Sequence, residues 1–431
     1  MSFPAYQAYQ DSGVEWLGRL PSHWVVWQSR RLFSERKERT REGDRQLTAS
    51  QKLGIVYQED FIRSEGAQVV QVITGADILK HVEPNDFVIS MRSFEGGLEY
   101  SAVSGCISSA YVMLIPAGDI HSPFFKYAFK SRVYIQALQA TTNLVRDGQA
   151  LRYGNFCQVP LALPSLGEQR AIAAFLDRET AKIDALVEAQ ERLIALLKEK
   201  RQAVISHAVT KGLDPSAHMK DSGVEWLGQV PAHWEVTRLD RVMSFQSGKA
   251  HEPYLDDDGA HLYVSARFVS TQGESVKRCT ENLTPAARGD IAMVMSDLPN
   301  GRALARAFQI TDDASYAINQ RVCRLSDFVG HSRFYLYQLN RNEGLLRHDD
   351  GVNQTHLSND EFRKLELCFP PMDEQKTIAD YLDRITGQYD ALANAAQSAI
   401  TLLQERRAAL ISAAVTGKID VRGLVQTAEA A

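Results

Sequence analysis

The chain has 431 residues, of which 44% are hydrophobic and 23% charged, and its formal net charge is −5. This length is sufficient for two or three domains with substantial cores, and the composition is ordinary for a soluble globular protein. No run of about eighteen apolar residues predicts a membrane span, and the first residues lack a secretory signal pattern, so we expect a cytoplasmic location. The net charge does not indicate a nucleic-acid-binding protein. Any such contact would need basic residues concentrated on one face, or a partner that supplies positive charge.

The cysteines predict neither disulfides nor a zinc site. They are odd in number, scattered along the chain, and never spaced as C-x-x-C. We expect buried, reduced thiols at Cys106, Cys157, Cys279, Cys323 and Cys368.

The chain is an internal duplication. The segment Asp11–Val26 returns as Asp221–Val236, with 12 of 16 positions identical at an offset of 210 residues. A second block, Glu168–Asp214, returns as Glu374–Asp420, with 24 of 47 positions identical at an offset of 206 residues. About 140 residues with only faint similarity separate the two blocks in each half. This order predicts one fold that carries two different surfaces.

The second repeated block predicts a long amphipathic helix in each half. No Pro or Gly interrupts residues 168–211, and prolines precede both helices, at Pro164 and at Pro370 and Pro371. The apolar seam of the first helix comprises Ile172, Leu176, Ile183, Leu186, Leu193, Leu197 and Val204. That of the second comprises Ile378, Leu382, Ile385, Tyr389, Leu392, Leu403 and Leu410. We expect rods of roughly 60 Å that bury their seams against each other as an antiparallel coiled coil. The alternative is ordinary packing of each helix onto its own domain.

The first repeated block carries S-x-x-E twice, at Ser12 and Glu15 and again at Ser222 and Glu225. This pattern resembles a capping box and predicts a short helix.

Tryptophans and histidines in the same block are interpreted as structural. We expect the tryptophans to anchor the core rather than stack on nucleotides: Trp16, Trp24, Trp226 and Trp234. His23 and His233 precede two of them and are predicted to support the fold, not catalysis.

The variable regions predict mixed α/β structure. Short β-rich runs at Asp86–Met91, Ala110–Ile115 and Asp290–Met295 are bounded by turn residues. Short helices are predicted near Phe124–Leu138 and Phe334–Leu339.

No motif predicts catalysis. The chain lacks the N/D-P-P-Y/F motif of adenine methyltransferases and a glycine-rich cofactor loop, and it lacks the P-loop of motor proteins. H-E-x-x-H and G-x-S-x-G are also missing. The run Asp256–Asp258 could imitate a metal site, but its Gly-flanked context favours a solvated loop. We therefore predict no catalytic residues and no metal ligands.

The duplicated motifs together resemble a known family. DSGVEWLG…P-x-HW, a variable region, and then EQ-x-x-I-A-x-x-LD…LLxExRxxLIS, all given twice, resemble the specificity subunits of type I restriction–modification systems. The resemblance spans nearly the whole chain. Two departures are modest: a Pro164-Ser-Leu-Gly sequence replaces the usual paired prolines in the first copy, and a short tail follows Arg422.

The resemblance implies an α/β (α+β) fold with an internal pseudo-twofold repeat. Two mixed α/β target recognition domains would be separated by two long conserved helices that pair as an antiparallel coiled coil. The implied division is a first recognition domain at 1–163, a first helix at 164–212, a second recognition domain at 213–370, a second helix at 371–417 and a tail at 418–431.

The resemblance also implies a non-catalytic subunit that reads double-stranded DNA. Each recognition domain would read one half of a bipartite, asymmetric site, while the helices set the gap and dock two methyltransferase subunits. Restriction/translocase subunits would join them. We expect no cofactor in this chain, with S-adenosylmethionine, ATP and magnesium on the partner subunits.

Base-reading residues are predicted on loops that follow the matched strands. Arg, Asn and Gln can make bidentate contacts to guanine and adenine. The candidates in the first domain are Arg92, Ser93, Asn143, Arg146 and Gln149. Those in the second are Ser296, Asn300, Arg302, Asn319, Gln320, Arg321, Asn353, Gln354 and His356. For each residue the alternative is a surface turn or a core hydrogen bond.

Other functions remain open on the residues alone. One alternative is a structural adaptor that does not read DNA. That function would not explain why the two variable regions differ while the segments that flank them are alike. A self-standing modification enzyme would require a cofactor motif that the chain lacks, and an orphan subunit has the same sequence features as an active one.

Overall fold

A computed structural model describes residues 3–66, 78–142, 151–297, 303–347 and 355–424. The chain forms two compact units, one of Met1–Glu191 with Gln397–Ala431 and the other of Arg192–Ala396. Both boundaries lie inside long helices, so each unit contains part of both helices. The five-segment division stays a prediction.

The first unit combines short strands with short helices ahead of a long helix. Its strands are β1 (Tyr9–Asp11), β2 (Arg19–Pro21), β3 (Val25–Trp27), β4 (Phe33–Arg36), β5 (Leu47–Ser50), β6 (Gly54–Tyr57), β7 (Lys80–Val82), β8 (Phe87–Ile89), β9 (Glu99–Tyr100), β10 (Gly105–Ile107), β11 (Val112–Pro116) and β12 (Leu161–Leu163). Its helices are α1 (Ser29–Leu32), α2 (Gln58–Glu65), α3 (Ser93–Gly96), α4 (Ser122–Ala128), α5 (Arg132–Gln139), α6 (Tyr153–Cys157) and the first part of α7 (Leu166–Lys211). An antiparallel sheet of order β4-β11-β8-β9 forms its centre.

The second unit repeats this plan with an additional sheet. Its strands are β13 (Met219–Asp221), β14 (Gln229–Pro231), β15 (Glu235–Arg238), β16 (Ser244–Ser247), β17 (His261–Val264), β18 (Arg278–Cys279), β19 (Pro285–Ala286), β20 (Ile291–Val294), β21 (Ser296–Asp297), β22 (Ala307–Gln309), β23 (Tyr316–Ile318), β24 (Val322–Ser326), β25 (Thr355–His356) and β26 (Glu366–Phe369). Its helices are α8 (Leu239–Val242), a 3-10 turn (Glu252–Tyr254), α9 (Ala266–Ser270), α10 (Ser332–Leu339), α11 (Glu343–Leu346), α12 (Asn359–Lys364) and most of α13 (Met372–Val415).

The central sheet of the second unit has the order β16-β24-β20-β22, which matches the first strand for strand. A further sheet of order β18-β17-β23-β19 contains one parallel pair, β17 with β23. The mixed α/β class predicted from the sequence is therefore confirmed, and all four residues of β20 are buried, as a strand in the middle of a core requires.

Two local predictions are wrong. The helix predicted near residues 124–138 is two helices, α4 and α5, with a break before Ser131, whose side chain accepts from Tyr134 N and starts the second. No helix begins at Ser12 among the described residues, because its hydroxyl accepts from Val14 N and the segment closes as a turn at Gly18, which has a φ of +60°. An S-x-x-E pattern does not by itself supply the residues that continue a helix.

The repeated blocks are joined by the same hydrogen bonds in both units. The Gln169 side chain accepts from His121 N at 2.9 Å and donates to Pro164 O at 2.9 Å. Gln375 makes the matching bonds at 2.9 and 2.8 Å in the second unit. This glutamine ties the beginning of each long helix to the α/β region before it.

The long helices are antiparallel in the first unit. Asp184 of α7 pairs with Arg407 of α13 at 2.9 Å, and Arg178, earlier in α7, donates at 3.0 Å to Leu424 O in the segment that follows α13. The residue numbers of the partners therefore decrease along α7, as antiparallel helices require.

The second unit has the same direction. Arg201 of α7 pairs with Asp390 at 3.3 Å, and Val209, further along, shares a buried core with Leu382. The predicted antiparallel pairing is thus present in each unit. None of the helices in the described ranges is long and apolar enough to cross a membrane.

The predicted seam is buried near the beginning of each long helix and partly exposed further along. Ile172 and Ile378 are fully buried, but Leu186, Leu193 and Leu392 are 51%, 41% and 54% exposed. The prediction of a continuous buried seam is wrong for these three leucines, because two helices cover only one stripe of each other and no described residue of their unit covers these side chains.

A buried carboxylate holds the two repeated blocks together in the first unit. Glu168 is 3% exposed and binds His23 Nε2 at 2.9 Å, while its Oε1 accepts from Trp24 Nε1 at 3.0 Å and Tyr6 OH at 2.5 Å. The equivalent Glu374 is 30% exposed and binds His233 Nε2 at 2.9 Å. These contacts agree with a structural role for both histidines.

Glu168→Ala is expected to destabilise the chain more than Glu374→Ala. The first change leaves three donors without an acceptor in a buried site and should cost about 3 kcal/mol, against about 1 kcal/mol for the more exposed copy. Denaturant unfolding of the full-length variants measures the difference. Equal losses of unfolding free energy would contradict a larger stabilising role for Glu168.

Candidate nucleic-acid interface

Predicted base readers in the second unit converge at one edge of the fold. Strand β21 pairs with β25, which places Ser296 opposite His356. Met295 N donates to Arg321 O at 2.9 Å, and Leu357 N donates to Met295 O at 2.9 Å. The turn before β24 and the two short strands therefore form a single structural element.

Burial divides these residues into two groups. Ser296 and Asn319 are 4% and 3% exposed, whereas Gln320 and Arg321 are exposed. The Asn319 amide donates to Glu252 Oε1 at 3.1 Å and accepts from a backbone N–H at 3.4 Å. Asn319 thus organises the turn from inside, and Gln320 and Arg321 face solvent.

A cleft of about 650 Å³ opens beside this turn. Its lining includes three arginines, Arg267, Arg306 and Arg321, together with Glu252 and Tyr263. Neither Arg267 nor Arg321 has a carboxylate within ion-pair distance in the parts of the chain that the structure describes. A cleft with such arginines suits an anionic or guanine-containing ligand.

Local sequence explains how these side chains are held. Ser265 caps α9 by accepting from Phe268 N, which starts the helix that presents Arg267. Phe268 and Val269 on the other side of α9 are buried in the core. The buried side of the helix therefore fixes its position, while Arg267 on the other side stays exposed.

Glu252 is the ionised acid of the cleft. Its Oε1 accepts from Asn319 Nδ2 at 3.1 Å and from Tyr263 OH at 3.2 Å. Burial acts to raise the pKa of Glu252, but its own backbone N–H, those two donors and the charge of Arg321 outweigh burial and hold the pKa below its usual value. Burial and the neighbouring carboxylate raise the pKa of Tyr263, so its hydroxyl remains a donor.

The first unit presents fewer of its candidates. Arg92 is exposed directly after β8, but Ser93 is fully buried and its Oγ accepts from Ser90 N at 2.8 Å, which closes a turn. The remaining candidates lie outside the described residues, as does the side chain of His356: Asn143, Arg146, Gln149, Asn300, Arg302, Asn353 and Gln354.

The two units differ at one matched turn. Tyr111 N donates to Ser108 O at 3.1 Å before β11, and Val322 N donates to Asn319 O at 2.9 Å before β24. These strands occupy the same place in the two central sheets. The turn reads Ser-Ser-Ala at 108–110 and Asn-Gln-Arg at 319–321, so one backbone carries two different sets of side chains.

Sequence reasoning missed Arg267, Glu252 and Tyr263. They lie where the halves of the chain have little similarity, and no motif marks them. One signal exists: the FIRSEG sequence from Phe61 aligns with FVSTQG from Phe268, and each follows a strand and lies in or beside a short helix. That alignment sets Asp60 against Arg267 and would have indicated a charge difference between the domains.

No group of three potential metal ligands occurs within the described ranges. Asp256, Asp257 and Asp258 are exposed in a turn, with Asp258 N donating to Asp256 Oδ1 at 2.9 Å. The cysteines are buried or half-buried and unpaired.

Comparison with known proteins identifies one family. Residues 231–402 match the family described as "Type I restriction modification DNA specificity domain". The MjaVIII specificity subunit of Methanocaldococcus jannaschii is 22% identical over 384 residues, which cover 85% of this chain and 86% of that protein. The StySPI specificity subunit of Salmonella potsdam is 24% identical over 370 residues, 79% of this chain and 76% of that protein.

Two solved structures share the fold. A chain from a study of complex assembly and conformational transition of the type I R-M system has a TM-score of 0.72 at 14% identity, covering 92% of this chain and 98% of its own. The HsdS subunit from Thermoanaerobacter tengcongensis has a TM-score of 0.53 at 15% identity, covering 93% and 98%. At these identities the likeness establishes the fold.

Arg267→Ala should weaken binding of the full-length chain to double-stranded DNA equally for all sequences. If Arg267 neutralises one phosphate, the slope of log K against log salt concentration should become shallower by about 0.9. Titration of labelled duplexes between low and moderate salt measures the slope. The control is Arg288→Ala, which changes an arginine outside the cleft that is 66% exposed and should leave the slope unchanged. A loss of affinity confined to particular base pairs would contradict the phosphate role of Arg267.

Proposed function

Because the chain belongs to the specificity subunits of type I restriction–modification systems, we propose that each of its two recognition domains reads one half of a bipartite, asymmetric DNA site. A specificity subunit is the non-catalytic member of such a complex. In this proposal the two domains choose the sequence, and the pair of long helices fixes the number of unread base pairs between the halves.

The observation that carries the proposal is the matched turn. Residues 108–110 and 319–321 hold the same position in two copies of one sheet, yet one turn carries two hydroxyls and a methyl group and the other carries two amides and a guanidinium. A recognition domain that contacts a different base sequence needs different hydrogen-bond donors and acceptors at the same place. Different exposed side chains on a shared backbone are therefore what a two-part, non-palindromic site requires.

Exposed leucines on the helices support docking of partner subunits. In the second unit Leu193 and Leu196 of α7 are 41% and 54% exposed, and Leu392 of α13 is 54% exposed. Apolar side chains on the outside of a helix pair are a suitable surface for further amphipathic helices. We assign this surface to the methyltransferase subunits, whose positive charge would also compensate for a net charge of −5.

The chemistry of the system belongs to those partners. The methyltransferase subunits would use S-adenosylmethionine, and the restriction/translocase subunits would use ATP with magnesium. This chain would contribute no cofactor, and the cytoplasm, where chromosomal DNA is accessible in a bacterium or archaeon, would be its location.

Co-expression with the neighbouring methyltransferase subunits, followed by sequencing of host DNA for methyladenine, tests base reading. We expect a new motif of two short specific halves around a fixed gap. A matched strain with the methyltransferase alone supplies the background. A complex that forms without any such motif would contradict base reading and leave a scaffold.

Leu196→Gln and Leu392→Gln are expected to weaken association with the methyltransferase subunit by about tenfold, since each removes an apolar side chain from the docking surface. Lys198→Gln, at an exposed charged position of the same helix, is the control. Calorimetric titration gives the affinity, and unchanged affinity in both leucine variants would assign docking to another surface.

A further inference from the structure

The cleft of the second unit presents a cation and an anion together. Arg321 lies on the turn between β23 and β24, and Glu252, in the 3-10 turn, lines the same cleft. Glu252 is bound by Asn319, two residues before Arg321 in the same turn, so the two charged groups lie close together. The charge of Arg321 also contributes to the lowered pKa of Glu252. They are nevertheless not an ion pair at 4 Å or less in the described chain.

Arg321 is held at its backbone and open at its side chain. Its carbonyl accepts from Met295 N at 2.9 Å, and the adjoining turn is closed by Val322 N on Asn319 O at 2.9 Å. The guanidinium is exposed and presents a planar fork of donors to the cleft. Fixed backbone with an unpaired fork is the arrangement that discriminates a base edge, since a misplaced base leaves two donors unsatisfied.

Glu252 is oriented by two neutral donors. Asn319 Nδ2 and Tyr263 OH both bind Oε1, at 3.1 and 3.2 Å, so Oε2 has no side-chain donor among the described residues. Its lowered pKa keeps it a carboxylate at neutral pH. A fixed carboxylate oxygen at a DNA-facing surface repels phosphate and accepts from an amino group, which on a major-groove edge belongs to cytosine or adenine.

We propose that Arg321 and Glu252 read the two bases of one G·C pair in the half-site of the second domain. Arg321 donates to O6 and N7 of guanine, and Glu252 accepts from the N4 amino group of the paired cytosine. The pairing selects guanine with cytosine because an A·T pair presents an amino donor to the arginine and a carbonyl acceptor to the carboxylate. This assignment rests on the proposed function, since it presumes that the second domain reads DNA.

The first domain does not share this reader. Ala110 stands where Arg321 stands, so the equivalent turn has no guanidinium to offer. The prediction is therefore confined to one half of the site, and the first half serves as an internal reference.

The test compares the base preferences of variants within the full complex. Wild type, Arg321→Ala, Glu252→Gln and Arg288→Ala are each co-expressed with the methyltransferase subunits, and the complexes select from duplexes with randomised positions. Glu252→Gln keeps an acceptor for Asn319 and Tyr263, and thermal unfolding checks that each variant folds. We expect wild type to require a G·C pair in the second half, Arg321→Ala to lose about tenfold or more of that preference, and Glu252→Gln to weaken the cytosine preference. Arg288→Ala should match wild type, and the first half should be unchanged throughout.

Each outcome separates the assignment from the proposed function. A bipartite wild-type motif whose second half is unchanged in Arg321→Ala overturns the G·C assignment and leaves the proposed function standing. Uniform weakening in Arg321→Ala, with a shallower salt dependence and no altered base preference, makes Arg321 a phosphate contact and also overturns it. No bipartite motif for wild type overturns the proposed function, and the assignment with it.

Discussion

The antiparallel packing of the two long helices is the constraint on which the rest of the structure depends. In each unit, one helix begins and the other ends against the same recognition domain. Two glycines show how closely the ends of the helices approach these domains. Gly417, with a φ of +68°, lies where a Cβ atom would be 2.4 Å from the Pro21 ring, and Gly212, with a φ of +76°, lies beside the Trp234 ring. Only glycine combines that conformation with that approach, so each helix end is fixed against a tryptophan-containing block.

Such a frame allows the recognition domains to differ without disturbing assembly. The bonds of Gln169 and Gln375 are the same, and the sheet order is the same, so the position of each reading surface on its helix ends is set by invariant contacts. Variation then occurs at exposed positions of the matched turns, such as 109–110 and 320–321.

The duplicated blocks allowed the fold class, the long helices and their direction to be predicted from the sequence, because identical flanks at constant offsets leave few topologies. Local and side-chain detail was less accessible. Ser12 satisfies its hydroxyl in a turn, which the S-x-x-E spacing does not distinguish from a cap. Leu186 and Leu392 have the right period for a seam, yet periodicity cannot tell a face that meets its own partner from a face left open. Arg267 and Glu252 join Arg321 only through tertiary contacts between segments far apart in the chain.

The divergence of the two domains reaches below their surfaces. Asp86 and Asp290 occupy matched positions, and each accepts a backbone N–H, at 2.9 and 2.8 Å. Asp86 pairs with Arg36 on β4 at 2.7 Å, whereas Asp290 pairs with Arg324 on β24 at 2.7 Å. The same buried carboxylate is thus neutralised from different strands in the two units. One of those strands, β24, directly follows the turn at 319–321. Because removing one partner of such a pair leaves an uncompensated charge inside the protein, the turn and the strand behind it are matched to their own domain. The turn and the strand behind it therefore differ between the domains together, whereas the contacts of Gln169 and Gln375 at the beginning of the long helices are alike in both copies.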